Sequence, residues 1–99
     1  MVQNMGRIKY ALIGSGWRAE FYIRIAKMIP ERFELTAVLV RDPVKGEAFA
    51  EKFQVKVVNT LDELMADEPA FVVLSIKRGT VTDYLLRLFE RDIPVLAET

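Results

Sequence analysis

Apolar positions along this chain switch between two spacings. Ile8-Lys9-Tyr10-Ala11-Leu12-Ile13 is a short apolar run closed by Gly14-Ser15-Gly16, which predicts a buried strand entering a glycine turn. From Trp17 to Ile29 the spacing becomes helical. Phe21, Ile25, Met28 and Ile29 would face the core, with Glu20, Arg24 and Lys27 toward water, and Pro30 stops the pattern. Glu34 to Val40 is rich in β-branched residues and leucine with no charge after its first residue, as a strand covered on both faces would be. Asp42-Pro43 reads as an N-cap followed by proline at the first helical position, opening a helix to about Phe53. A short strand over Val55–Val58 follows. Thr60-Leu61-Asp62-Glu63 fits a capping box and predicts a brief helix over Leu61–Ala66. Phe71–Ser75 is a fourth strand, and Lys77-Arg78-Gly79-Thr80 a polar turn. Val81, Tyr84, Leu85, Leu88 and Phe89 mark one face of a helix ending near Arg91, and Pro94–Ala97 is a fifth strand.

Strands alternating with helices at this pitch argue for a doubly wound α/β fold. The expected form is a parallel sheet of about five strands in the order 3-2-1-4-5, with helices on both faces in three layers. Residues 1–99 suit one domain.

Composition narrows the chemistry. Fourteen basic and fourteen acidic side chains cancel, so no overall field draws the chain to nucleic acid or to an anionic membrane. No apolar run approaches the roughly 20 residues of a membrane span, and the first residues lack the long apolar stretch of a signal peptide. Cysteine is absent, which removes disulfides, thiolate nucleophiles and sulfur metal sites and points to the cytoplasm. Histidine is absent too, so the commonest general base and zinc ligand is missing, and no metal site is expected.

Gly14-Ser15-Gly16-Trp17-Arg18-Ala19 matches G-x-G-x-x-A between a predicted first strand and first helix, the context that a dinucleotide-binding fingerprint requires. Gly14 permits the tight turn, Gly16 lets backbone amides approach a pyrophosphate, and Ala19 lets the helix pack close to the sheet. The phosphates of NAD or NADP would then sit at the helix N-terminus, where unpaired N–H groups favour negative charge. The plain alternative is a glycine turn that binds nothing. A second ligand-facing position is the end of the second strand, Val40-Arg41-Asp42, where Asp42 has a competing role as helix cap and Arg41 as a solvated loop residue. A third is the end of the fourth strand, Ser75-Ile76-Lys77, which would border the nicotinamide side and is otherwise an ordinary loop.

On these residues, and on Arg41-Asp42-Pro43 and Val95-Leu96-Ala97-Glu98-Thr99, the chain resembles the Gfo/Idh/MocA oxidoreductases from Lys9 to Thr99. The resemblance implies a Rossmann NAD(P)-binding domain, expected to be cut here before a sixth strand and a C-terminal substrate domain. It also implies a homo-oligomer at full length and hydride transfer to or from a sugar, cyclitol or related small carbonyl or alcohol. Glu98 falls on the glutamate of the family's V-L-x-E-K-P stretch and so joins the expected cofactor-binding residues.

Three departures follow from the same match. Thr99 stands where the family has its lysine and supplies neither a cation nor a tunable amine, which leaves Lys77 as a substitute and the acid/base otherwise unassigned. Ile76, Lys77, Arg78 and Val81 occupy the turn that usually reads T-P-N-x-x-H. Val40 holds the position of the acidic ribose ligand, and Arg41 follows it, so NADP is expected to be preferred to NAD. A non-catalytic dinucleotide-sensing or regulatory module is the main alternative, consistent with Thr99 and the missing histidine. Another Rossmann user, such as a methyltransferase or a CoA-binding domain, is a further one.

Overall fold

The apolar run at the start forms β1 (Ile8–Ile13), followed by α1 (Trp17–Met28), β2 (Phe33–Leu39), α2 (Pro43–Phe53) and β3 (Val57–Val58). The chain continues through α3 (Leu61–Met65), β4 (Phe71–Leu74), α4 (Arg78–Glu90) and β5 (Val95–Ala97). These elements come from a computed structural model, which describes residues 7–76 and 78–97. The strands form one sheet in the order β3-β2-β1-β4-β5, and every pairing is parallel. Beyond β3 the chain therefore crosses to the other side of β1, and the sheet reverses its winding between β1 and β4. Such a switch point opens a crevice at the carboxyl ends of the strands.

Side chains alternate across the strands and divide the core into two layers. Ala11, Ile13, Ala37, Leu39, Val72 and Leu74 pack with Leu61, Leu64, Tyr84 and Leu88 from α3 and α4. Tyr10, Leu12, Val38, Val40 and Val73 pack on the opposite face with Ala19 and Ile23 of α1 and Phe49 of α2. In the β1–β2 ladder Tyr10 pairs with Leu35 and Ala11 with Ala37, so Thr36 is an extra residue. Its hydroxyl donates to the Tyr10 carbonyl at 3.2 Å, which satisfies an acceptor beside the irregularity.

Local capping follows the sequence closely. The Asp42 carboxylate accepts the N–H groups of Val44 and Lys45 at 2.9 and 3.4 Å, and Thr60 and Glu63 form the reciprocal capping box of α3. Element ends differ by a residue or two where β2 begins at Phe33, β3 shortens to Val57–Val58 and β5 begins at Val95.

Two helices differ more substantively. In α1 the buried residues are Ala19 and Ile23, with Tyr22 and Ala26 packed beside them. Phe21 and Met28 are exposed, and Ile29 is the cap beyond the helix end. The expected face was weighted by side-chain size, whereas close approach of helix to sheet favours the stripe that carries two alanines. The other helix, α4, begins at Arg78 rather than Val81, because Arg78-Gly79-Thr80 form its first turn instead of a loop. It buries Tyr84 and Leu88 and leaves Phe89 exposed. Among the described residues no helix is long and apolar enough to cross a membrane.

Candidate functional site

The crevice at the switch point has a volume of about 620 Å³. Its floor is the end of β1, Ile13, and the turn Gly14–Arg18 that leads into α1. One wall is the end of β2 and the start of α2, with Leu39, Val40, Arg41 and Lys45. The opposite wall is the end of β4, Ser75 and Ile76, joined by Tyr84 of α4.

Hydrogen bonds hold the floor to both walls. The Gly14 N–H donates to the Leu39 carbonyl at 3.2 Å, and the Ser75 N–H donates to the Ile13 carbonyl at 2.9 Å. Gly14 is buried with φ +132°, a region that side chains other than hydrogen rarely allow, and a Cβ there would lie 2.0 Å from the Ser75 carbonyl oxygen. The turn is thus pressed directly against the end of β4.

Gly16 differs in every respect. Its φ of −76° is open to any residue, and a Cβ built on it would meet nothing within 4 Å. Folding does not require glycine here, and the space beside it opens into the crevice. Gly16 is also the N-cap of α1 and supplies no side-chain acceptor to the helix's first N–H groups. The positive end of α1 therefore faces the crevice uncovered by a cap, and an anion with flat access to backbone is the complementary ligand. Ala19, fully buried, sets α1 close to the sheet behind this turn. Trp17 is 76% exposed on the crevice lip, with the Arg18 guanidinium 5.3 Å from its ring centre.

The β2 wall is cationic. Val40 is buried and cannot accept a hydrogen bond through its side chain. Arg41 and Lys45 are exposed and border the crevice, and their side chains form no hydrogen bond or ion pair among the described residues. Asp42 is occupied as the cap of α2 and is not among the lining residues.

The structure thus brings Gly14, Ser15, Gly16, Trp17, Arg18, Arg41, Ser75 and Ile76 of the expected site around one crevice. Lys77, Glu98 and Thr99 lie outside the described residues. Lys45 and Tyr84 were missed. Lys45 lies four residues after Arg41 and lines the same wall, while the spacing of Tyr84 along α4 signals only that it faces the core. Among the described residues the groups with clearly shifted acidity are elsewhere: burial pushes Tyr10 up to about 12. The Asn59 N–H, followed by the Thr60 hydroxyl, lowers Glu63 below its ordinary range. Neither lines the crevice.

Comparison with known proteins agrees with this fold. The family described as "Oxidoreductase family, NAD-binding Rossmann fold", Gfo/Idh/MocA, matches residues 8–99. A sequence search of curated proteins finds no match. Among solved structures, GenD2 from gentamicin A biosynthesis, in complex with NAD, is 29% identical, covering 94% of this chain and 27% of its own, with a TM-score of 0.81. A myo-inositol dehydrogenase from Corynebacterium glutamicum is 26% identical, covering 94% of this chain and 28% of its own, with a TM-score of 0.77. The WlbA dehydrogenase from Chromobacterium violaceum, in complex with NADH and UDP-GlcNAcA, shares the fold at 23% identity and a TM-score of 0.82, covering 95% of this chain and 28% of its own. The chain spans little more than a quarter of the length of these solved relatives. With the fingerprint turn, the sheet order and a family match over nearly all its residues, the chain belongs to the Gfo/Idh/MocA family of NAD-binding Rossmann oxidoreductases.

Proposed function

We propose that residues 1–99 are the cofactor-binding domain of an oxidoreductase whose crevice takes NADP in preference to NAD. The observation that carries the proposal is the open space beside Gly16 at the N-terminus of α1, where a Cβ would meet nothing within 4 Å and a ligand has direct access to the backbone. Gly16 and the first N–H groups of α1 would hold the pyrophosphate, and Gly14 fixes the turn that aims them. Arg41 and Lys45 would pair with a 2′-phosphate on the adenosine ribose. The capping role of Asp42 leaves no carboxylate on this wall to repel that phosphate. Ser75 and Ile76 would border the nicotinamide side, and Glu98 and Lys77 are proposed to join them from beyond the described residues.

When bound, the nicotinamide supplies hydride transfer. The residues of the crevice would bind and orient it, while its lining side chains among the described residues include no carboxylate or imidazole to move a proton. A substrate domain following this one, and a sugar, cyclitol or related alcohol or carbonyl as substrate, are supported by the family and by the greater length of the solved relatives. That domain would also carry self-association of the full-length protein.

Calorimetric titration of NADPH and NADH into the wild type and Arg41→Ala at low salt tests the cofactor reading. NADPH should bind roughly ten- to a hundredfold more tightly than NADH, as expected for a charge-assisted contact, and Arg41→Ala should remove most of the difference. Equal or tighter NADH binding would overturn the preference. Absence of binding by either nucleotide would overturn the site.

A further inference from the structure

Tyr84 combines three properties that packing alone does not require. Its ring belongs to the core layer beneath α3 and α4, and the residue is 7% exposed. It also lines the crevice, beside Ser75 and Ile76. Among the described residues its hydroxyl has no hydrogen-bond partner.

Among the described residues no buried side-chain oxygen or nitrogen lacks a partner. An unpartnered phenol is compatible with that only if its oxygen reaches accessible space, and the cavity that Tyr84 borders is the crevice. Phenylalanine would fill the same volume in the core without an O–H to satisfy. The oxygen is therefore a polar handle at the mouth of an otherwise apolar position.

The division of the crevice indicates what this handle meets. Arg41 and Lys45 stand on the β2 wall, the Gly14–Arg18 turn lies between the walls, and Ser75, Ile76 and Tyr84 form the β4 wall. A dinucleotide with its adenosine ribose at the cations and its pyrophosphate on the turn has only its second nucleoside left for the β4 wall. We propose that Tyr84 is a cofactor-contacting residue whose hydroxyl donates a hydrogen bond to the nicotinamide nucleoside of the bound dinucleotide. This rests on the cofactor assignment above and adds a residue to it.

Tyr84→Phe removes the oxygen and keeps the ring, so folding and binding can be read separately. NADPH, NADH and ADP are titrated by calorimetry into the wild type and the variant of the full chain, and thermal unfolding is recorded for both. The expected result is a five- to tenfold loss of affinity for the two dinucleotides, about the worth of one hydrogen bond. ADP affinity should be unchanged, with an unfolding midpoint within about 3 °C of wild type. Unchanged dinucleotide affinity would overturn the inference while leaving the cofactor site intact, and so would an equal loss on ADP. A wild type that binds none of the three ligands would overturn the cofactor assignment and this contact together.

Discussion

A methyl group added at Gly14 would lie 2.0 Å from the Ser75 carbonyl oxygen, whereas one added at Gly16 would meet nothing within 4 Å. The two glycines of one motif thus serve different ends, the first the fold and the second the ligand. Gly14→Ala should destabilise the protein by about 3 kcal/mol, through backbone strain at positive φ and displacement of the end of β4. Gly16→Ala should leave the unfolding midpoint near wild type and weaken dinucleotide binding at least about tenfold. Chemical denaturation and calorimetry on both variants check the pair. The reverse pattern would remove Gly16 from the binding surface. The fingerprint itself was legible because its spacing is local, as was the cap at Asp42, whose partners are two and three residues away. Tyr84 was legible only in half, since its spacing reports that it faces the sheet but not that this part of the sheet ends in a crevice.

Helix α1 shows how size misleads when a helix lies close to a sheet. Ile23 is 1% exposed and Met28 is 78% exposed, although both are large and apolar. On this side Ala19 and Ala26 pack in the core layer against the sheet, where small side chains let a helix backbone come close to the strands. Ile23→Ala should therefore cost about 3 kcal/mol, while Met28→Gln should change stability by less than about 0.5 kcal/mol, both measured by denaturant unfolding. Comparable losses would restore the size-weighted face. In α4 a different cue failed. Lys77-Arg78-Gly79-Thr80 has the composition of a turn, yet Arg78 already starts the helix, and tertiary packing of Tyr84 and Leu88 outweighs the weak propensity of Gly79 and Thr80.

At the scale of the molecule, strand order was legible because each of β1 to β4 is followed by a helix and the crossover rules leave few arrangements for such a chain. The two-layer division of the core followed from strand alternation. Among the described residues β5 pairs only with β4, and its exposed Leu96 and Ala97 carry no charge. Light scattering of this 99-residue chain should show a mass that rises toward millimolar concentration, and Leu96→Lys should suppress the rise. A monomer throughout, or an unaltered rise in the variant, would remove β5 from the contact. The crevice has a further property. Trp17 is the sole tryptophan of the sequence and stands largely uncovered on the crevice lip. The tryptophan emission of residues 1–99 thus arises from one indole at the proposed binding site, with no second indole among them to dilute it. A reduced nicotinamide arriving there would quench that indole by energy transfer and brighten in its place, so the unlabelled protein would report its own occupancy as light.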